Sequence, residues 1–239
     1  MKIPFWATVL TLLASTVLFS LGTWQMHRMA WKNTLLQTIA RELSKDPKSE
    51  VLDPDADLST VIIKRGVLQG EFLHEKAVRI ESQVMRGQTG YNLVTPFKLS
   101  NHNGKVIFVN RGWIPLSMEV MDGQIEKPQG EVRLIGALRS KSDYNSFVPE
   151  NKPEEDVWYR IEPKEIAAVK GIDAYYTNIF HKEGVKKRGL PDLPIARGAG
   201  DIGISNNHAG YVLFWFTMSF AVWVIYFLRF IAPQLRKDF

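Results

Sequence analysis

The sequence predicts a membrane protein in which two transmembrane helices, one at each end, flank one mainly antiparallel β domain of the α+β class. Three observations carry this. Residues 3–26 and 209–228 contain no charged side chain, and at about 1.5 Å rise per residue each is long enough as a helix to cross a hydrocarbon core of roughly 30 Å. The stretch between them holds short β-branched and aromatic runs separated by turn residues. Both short ends are basic, with Lys2 before the first span and Arg229, Arg236 and Lys237 after the second.

The first span, 3–26, has an apolar run longer than the 7 to 15 residues of a signal-peptide core and no small-x-small site before its polar boundary, so it is read as a retained helix rather than a cleaved signal. A helical extension covers 27–45, where Leu35, Leu36, Ile39, Ala40 and Leu43 recur at helical spacing beside Arg28, Lys32, Arg41 and Glu42. Asp46-Pro47 ends it.

The domain then occupies 46–205. Val61 to Gly66, Lys76 to Glu81, Tyr91 to Leu99, Lys105 to Asn110, Glu131 to Arg139 and Tyr175 to Phe180 read as strands, with Asn103-Gly104 as a hairpin turn. Glu162 to Lys170 reads as a helix, with Pro163 in its first turn and Gly171 as its C-terminal cap. Val109 to Pro115 reads as a strand exit, where Gly112 permits unusual backbone and Pro115 stops pairing; Arg111 and Trp113 are open to a partner contact. A small barrel or sandwich is expected. Residues 182–205 form a glycine-rich connector to the second span, 206–228, and the tail is 229–239.

Two crossings return the chain to its starting side, so the domain lies on one side and both termini on the other. Basic ends favour cytoplasmic termini, although Arg28, Lys32, Lys186, Lys187, Arg188 and Arg197 border the spans on the opposite side.

The net charge is +5, and more than half of it belongs to the short ends. The nearly balanced interior lacks the electrostatic footprint of a nucleic-acid binder. The absence of cysteine excludes a disulfide, a thiolate nucleophile, a Cys-ligated metal, covalently attached c-type heme and a Cys-x-x-x-Cys copper site. His27, His74, His102 and His181 are scattered, and neither a Gly-x-Ser-x-Gly nor a phosphate-binding glycine loop occurs, so the chain is not read as an enzyme.

Two clusters at the span boundaries are candidate sites. Trp24, Arg28, Trp31 and Leu35 share one helix face. They either anchor the helix at the interface, as tryptophan belts and snorkelling arginines do, or place Arg28 between two indoles to pair with an anionic group such as a porphyrin propionate. At the second boundary, His208, Tyr211, Trp215 and Val222 share a face. An imidazole heading an apolar helix is costly unless paired, hydrated or metal-bound, so His208 is either a hydrogen-bonded cap or a ligand.

Taken together, Gly22-Thr23-Trp24-Gln25 with Arg28 and Trp31-Lys32, Gly90-Tyr91 with Thr95-Pro96-Phe97, Val109 to Pro115, Asn151 with Pro153 and Trp158-Tyr159, and Asn206-Asn207-His208 with Tyr211 and Trp215-Phe216 resemble the surfeit locus protein one family, including its yeast Shy relatives. The matches run in family order across nearly the whole chain. The resemblance implies an assembly factor for heme-copper terminal oxidases, chiefly cytochrome c oxidase, acting on the catalytic subunit that receives heme a, with heme a synthase as a further candidate partner.

It also implies heme a binding through His208 as the metal ligand; on the chemistry of the residues themselves, Tyr211 and Trp215 offer ring surface and Arg28 a cation to complete the cofactor site. Neutral imidazole is a common axial ligand of heme iron, and the apolar spans and rings suit a macrocycle. Ala209-Gly210 departs from the Leu-Gln often found beside that histidine. With the first span starting at Ile3 there is no room for a mitochondrial presequence, so a bacterial inner membrane with the domain in the periplasm is expected. The alternative is a heme-independent scaffold that stabilises oxidase assembly intermediates.

Overall fold

The computed structural model describes residues 4–46, 52–58, 63–85, 87–116, 124–140, 146–184, 193–196 and 207–235. Residues 61–62 of the first expected strand, most of the connector, Asn206 and the basic residues of the tail after Arg229 lie outside them. The chain forms two compact units, one made of residues 1–37 with 203–239 and the other of residues 38–202.

The first unit contains helix α1, Phe5–Ser44, up to Gln37, and helix α3, His208–Tyr226, which continues through one wide π turn, Phe227–Ile231, into the short α4, Ala232–Leu235. Phe5–Ser44 and His208–Leu235 are long and apolar enough to cross a membrane. Their large side chains point outward: Phe5, Trp6, Leu10, Leu13, Phe214 and Phe220 are exposed, whereas Ser219 and Tyr226 are buried.

Polar groups line the seam between the helices. Thr8 Oγ1 lies 2.6 Å from the Tyr226 hydroxyl, the Ser15 and Ser219 hydroxyls are 3.1 Å apart, and Trp223 Nε1 donates to Ser15 Oγ at 2.8 Å. Contacts rising along α1 fall along α3, so the two helices are antiparallel. Gly22 is buried at this seam because a Cβ there would stand 2.8 Å from the Phe216 ring, and its missing side chain allows the close approach.

The second unit is built on six strands: β1 Ile63–Phe72, β2 Val78–Met85, β3 Gln88–Leu99, β4 Val106–Pro115, β5 Val132–Arg139 and β6 Tyr175–Lys182. Their order is β1-β5-β6-β4-β3-β2, and the end of β1 also pairs with β3 through Gly70↔Leu99 and Phe72↔Phe97. The pairings β1-β5-β6-β4-β3-β1 therefore close a ring, the barrel alternative of the sequence expectation. Alternate residues of all five ring strands, among them Leu68, Phe97, Val109, Leu138 and Phe180, form one core cluster.

The opposite face of β4, with Val106 and Phe108, packs in a second cluster with Trp158 and with Ile166 of helix α2, Pro163–Lys170. Every residue of β4 is buried as a result. Helix α2 starts with Pro163 and ends at Gly171 in the left-handed conformation, φ +60°, as the sequence predicts. Asn103 and Gly104 turn the β3–β4 hairpin with φ of +50° and +70°, the signs a type I′ turn requires.

The sheet is mainly antiparallel, as expected, with one parallel pairing, and the strand exit is corrected. β6 runs parallel to β4 while pairing antiparallel with β5. The chain reaches β6 through β5 and α2, a connection long enough for parallel return. Residues 109–115 are the second half of β4 rather than a strand exit, with Gly112 paired to Leu93 and Asn110 to Val94. Arg111 is the extra residue of the bulge between these pairs.

Arg111 is 1% exposed, lies over the Phe72 ring and donates to the Glu126 carbonyl, and burial lowers its pKa against the opposing pull of Glu126. Trp113 is 2% exposed and donates through Nε1 to Gln83 O. Both are built into the domain's interior. Arg65 of β1 forms a two-pronged pair with Glu183, 2.6 Å on each prong, which raises its pKa, and also donates to the carbonyls of Leu43 and Lys45 at the end of α1.

Candidate functional site

The second boundary cluster acquires a partner from the first helix. His208, the first residue of α3, places Nδ1 2.7 Å from Oε1 of Gln25 on α1. An amide oxygen has no proton to give, so Nδ1 donates, and in the neutral ring the lone pair is then on Nε2. That is the form in which a neutral imidazole binds a metal, its other nitrogen held by a fixed acceptor. Nε2 of His208 is thus one nitrogen of the kind that serves as an axial ligand of heme iron.

The helices arrive at this contact for a local reason. Thr8, Ser15 and Gly22 lie seven residues apart on α1, as Ser219 and Tyr226 do on α3, and seven residues is nearly two helical turns. Polar or small residues so spaced keep one face toward the partner. Gln25 follows Gly22 by three residues and lies on the same side.

Trp215 is half-buried, with its ring 5.1 Å from Phe214 in an edge arrangement, and Tyr211 is 56% exposed one turn from His208. The Arg28 guanidinium lies 4.1 Å from the Trp31 ring centroid, so the anticipated cation–π contact forms with one indole. Arg28 itself is exposed. Among the described residues, no hydrogen bond or ring contact joins Arg28, Tyr211 or Trp215 to His208.

Gln25 is the residue whose role the sequence did not disclose. It stands in the Gly-Thr-Trp-Gln stretch, but its partner is 183 positions away. The signal that could find it is the seven-residue spacing of small and polar residues on both helices, which fixes the antiparallel register once the seams are aligned.

Elsewhere, His74 Nε2 contacts the Pro128 carbonyl and His102 Nδ1 the Tyr176 hydroxyl. Among the described residues, no group of three or more His, Asp or Glu could hold a metal ion. Asn151 accepts the backbone N–H groups of Tyr159 and Arg160, both at 2.8 Å, and Trp158 is fully buried with Nε1 on Asp156. The resembling residues of the domain are thus largely those that shape its turns and core.

A mixed-sheet domain between two terminal helices long and apolar enough to cross a membrane, with an imidazole hydrogen-bonded at the head of the second, defines a two-helix protein carrying a single β domain. Residues 12–220 match the SURF1 family, and the chain belongs to that family. It is 32% identical to a SURF1-like protein of Monosiga brevicollis over 94% of this chain and 87% of that one. It is also 30% identical to surfeit locus protein 1 of Mus musculus, covering 92% of this chain and 74% of that one. A SURF1-like protein of Caenorhabditis elegans is likewise 30% identical. These relatives are eukaryotic and lend no support to the expected bacterial origin.

Proposed function

We propose that this protein assists assembly of heme-copper terminal oxidases by holding heme a, as cargo, through Nε2 of His208 and passing it to the oxidase catalytic subunit. The observation that carries the reading is the Nδ1 contact to Gln25, which leaves Nε2 as the free donor. Heme iron supplies the open coordination position that such a nitrogen fills. Trp215 and Tyr211 offer ring surface to a macrocycle, and Arg28 a cation for a propionate. No bond of a substrate is made or broken, so the protein is not an enzyme, and heme a synthase is the natural donor.

The basic ends and apolar helices support a bilayer location with cytoplasmic termini and an extracytoplasmic domain, in a bacterial inner membrane the periplasm. An alkaline phosphatase fused after Gly104 is expected to be active. An inactive phosphatase with an active cytoplasmic reporter at the same point reverses the orientation.

A second reading is a heme-independent scaffold, favoured by the fact that Gln25 alone already satisfies one nitrogen of His208 within the seam. The two separate on heme per protein, measured by pyridine hemochrome on detergent-purified protein co-expressed with the enzymes that make heme a. His208→Ala is expected to insert normally and lose most of the bound heme, while His27→Ala retains it. Equal heme in wild type and His208→Ala, with full oxidase maturation, establishes the scaffold.

A further inference from the structure

The contact between the helices does more than bring a histidine to the seam. Gly22 is the position at which a side chain would collide with Phe216, so α1 and α3 approach closely one turn before Gln25. The Ser15–Ser219–Trp223 cluster and the Thr8–Tyr226 bond fix the same register further along. Gln25 is therefore delivered to His208 by four contacts of the seam, and its amide oxygen meets Nδ1 at 2.7 Å.

A free imidazole in an apolar setting exchanges its proton between the two nitrogens and turns about its side-chain bonds. The acceptor on Gln25 removes both freedoms. It keeps the proton on Nδ1, orients the ring and increases the electron density that Nε2 can donate.

We propose that Gln25 is the positioning residue of the heme site: its side-chain oxygen sets the tautomer, direction and donor strength of His208, and with them the affinity and reduction potential of the bound heme. This rests on the heme reading above. An acceptor that strengthens imidazole donation stabilises ferric over ferrous iron, so its removal weakens binding and raises the potential.

The test uses the full chain in detergent, titrated with hemin and then followed by redox titration, for wild type, Gln25→Leu, Gln25→Glu and His208→Ala. Gln25→Leu substitutes an apolar side chain of similar bulk that has no acceptor. Its hemin affinity is expected to fall roughly 10- to 100-fold, the loss usual for removal of a ligand's orienting partner, with a raised midpoint potential. Gln25→Glu keeps an acceptor oxygen, and a stronger one where it is ionised, so its affinity is expected to hold and its midpoint potential to stay at or fall below that of wild type.

Wild-type affinity and potential in Gln25→Leu, with binding lost in His208→Ala, overturn the positioning role and leave the heme reading standing. Equal losses in the Leu and Glu variants overturn it too, because the shape of the amide and not its acceptor would then matter. Hemin binding unaffected by His208→Ala overturns the heme reading itself. Should Gln25→Leu fail to fold, a raised potential in Gln25→Glu still overturns the proposal and an unraised one supports it.

Discussion

The helix pair and the β domain are built with opposite polarity. In the domain, the ring interior is apolar and the buried polar side chains, Asn92, Thr95, Asn110 and Arg111, are exceptions set on β3 and β4. In the helix pair, the apolar side chains face outward and the buried residues include Ser219 and Tyr226. On the membrane reading proposed above, the difference follows from what surrounds each unit. Water drives apolar groups inward, whereas lipid tails are as apolar as leucine and leave helices to associate by close packing and hydrogen bonds. It also predicts where substitutions are expensive: at packed backbone in the domain, and only mildly at any one hydrogen bond in the seam.

The largest effect is expected at Gly112. Its φ is +136°, which residues with a Cβ rarely adopt, and a Cβ there would stand 2.4 Å from the Ile195 carbonyl oxygen. That carbonyl accepts from Trp113 N, and Ile195 N donates back to Trp113 O, so β4 and the segment at Ile195 cannot separate without losing paired bonds. Gly112→Val should destabilise the domain by about 2 kcal/mol or more, combining backbone strain with the steric clash. Thermal unfolding of the full chain, followed by near-ultraviolet circular dichroism of the buried tryptophans, checks this. An unchanged transition would show that β4 and the Ile195 segment tolerate displacement here and would erase the contrast with the seam.

Much of this contrast was legible in the sequence. All six strands, α2 with its proline start and glycine cap, the Asn103-Gly104 turn and the two apolar helices follow from local pattern, because alternation, capping and turn chemistry are local properties. The continuation of β4 through Arg111 was not legible, since a bulge breaks the alternation that marks a strand. Nor was the parallel pairing of β4 with β6, which is decided by where the chain returns after α2. At the candidate site, His208 stood out for its position at the head of an apolar helix. Gln25 did not, because its meaning depends on the register between two helices distant in sequence.

The seam should respond weakly, and Tyr226 is the place to measure it. Its side chain is 8% exposed, with the ring beside Trp223 and Phe230 and its hydroxyl 2.6 Å from Thr8 Oγ1. Thr8 Oγ1 also lies 3.0 Å from the Pro4 carbonyl, which can only accept, so Thr8 spends its single proton there and Tyr226 must be the donor to Thr8. Tyr226→Phe removes that donor while leaving the ring contacts and the Thr8–Pro4 bond in place. No donor is orphaned by the change. The cost should therefore be close to the average of about 0.6 kcal/mol for a hydrogen bond between membrane helices, small because the unassociated helices also find partners within themselves. A double-mutant cycle with Thr8→Val, read by reversible unfolding in bicelles, isolates the pair. A coupling near that average supports the reading that register is held by many weak polar contacts, whereas a coupling of about 3 kcal/mol would make this one bond the principal clasp of the helix pair.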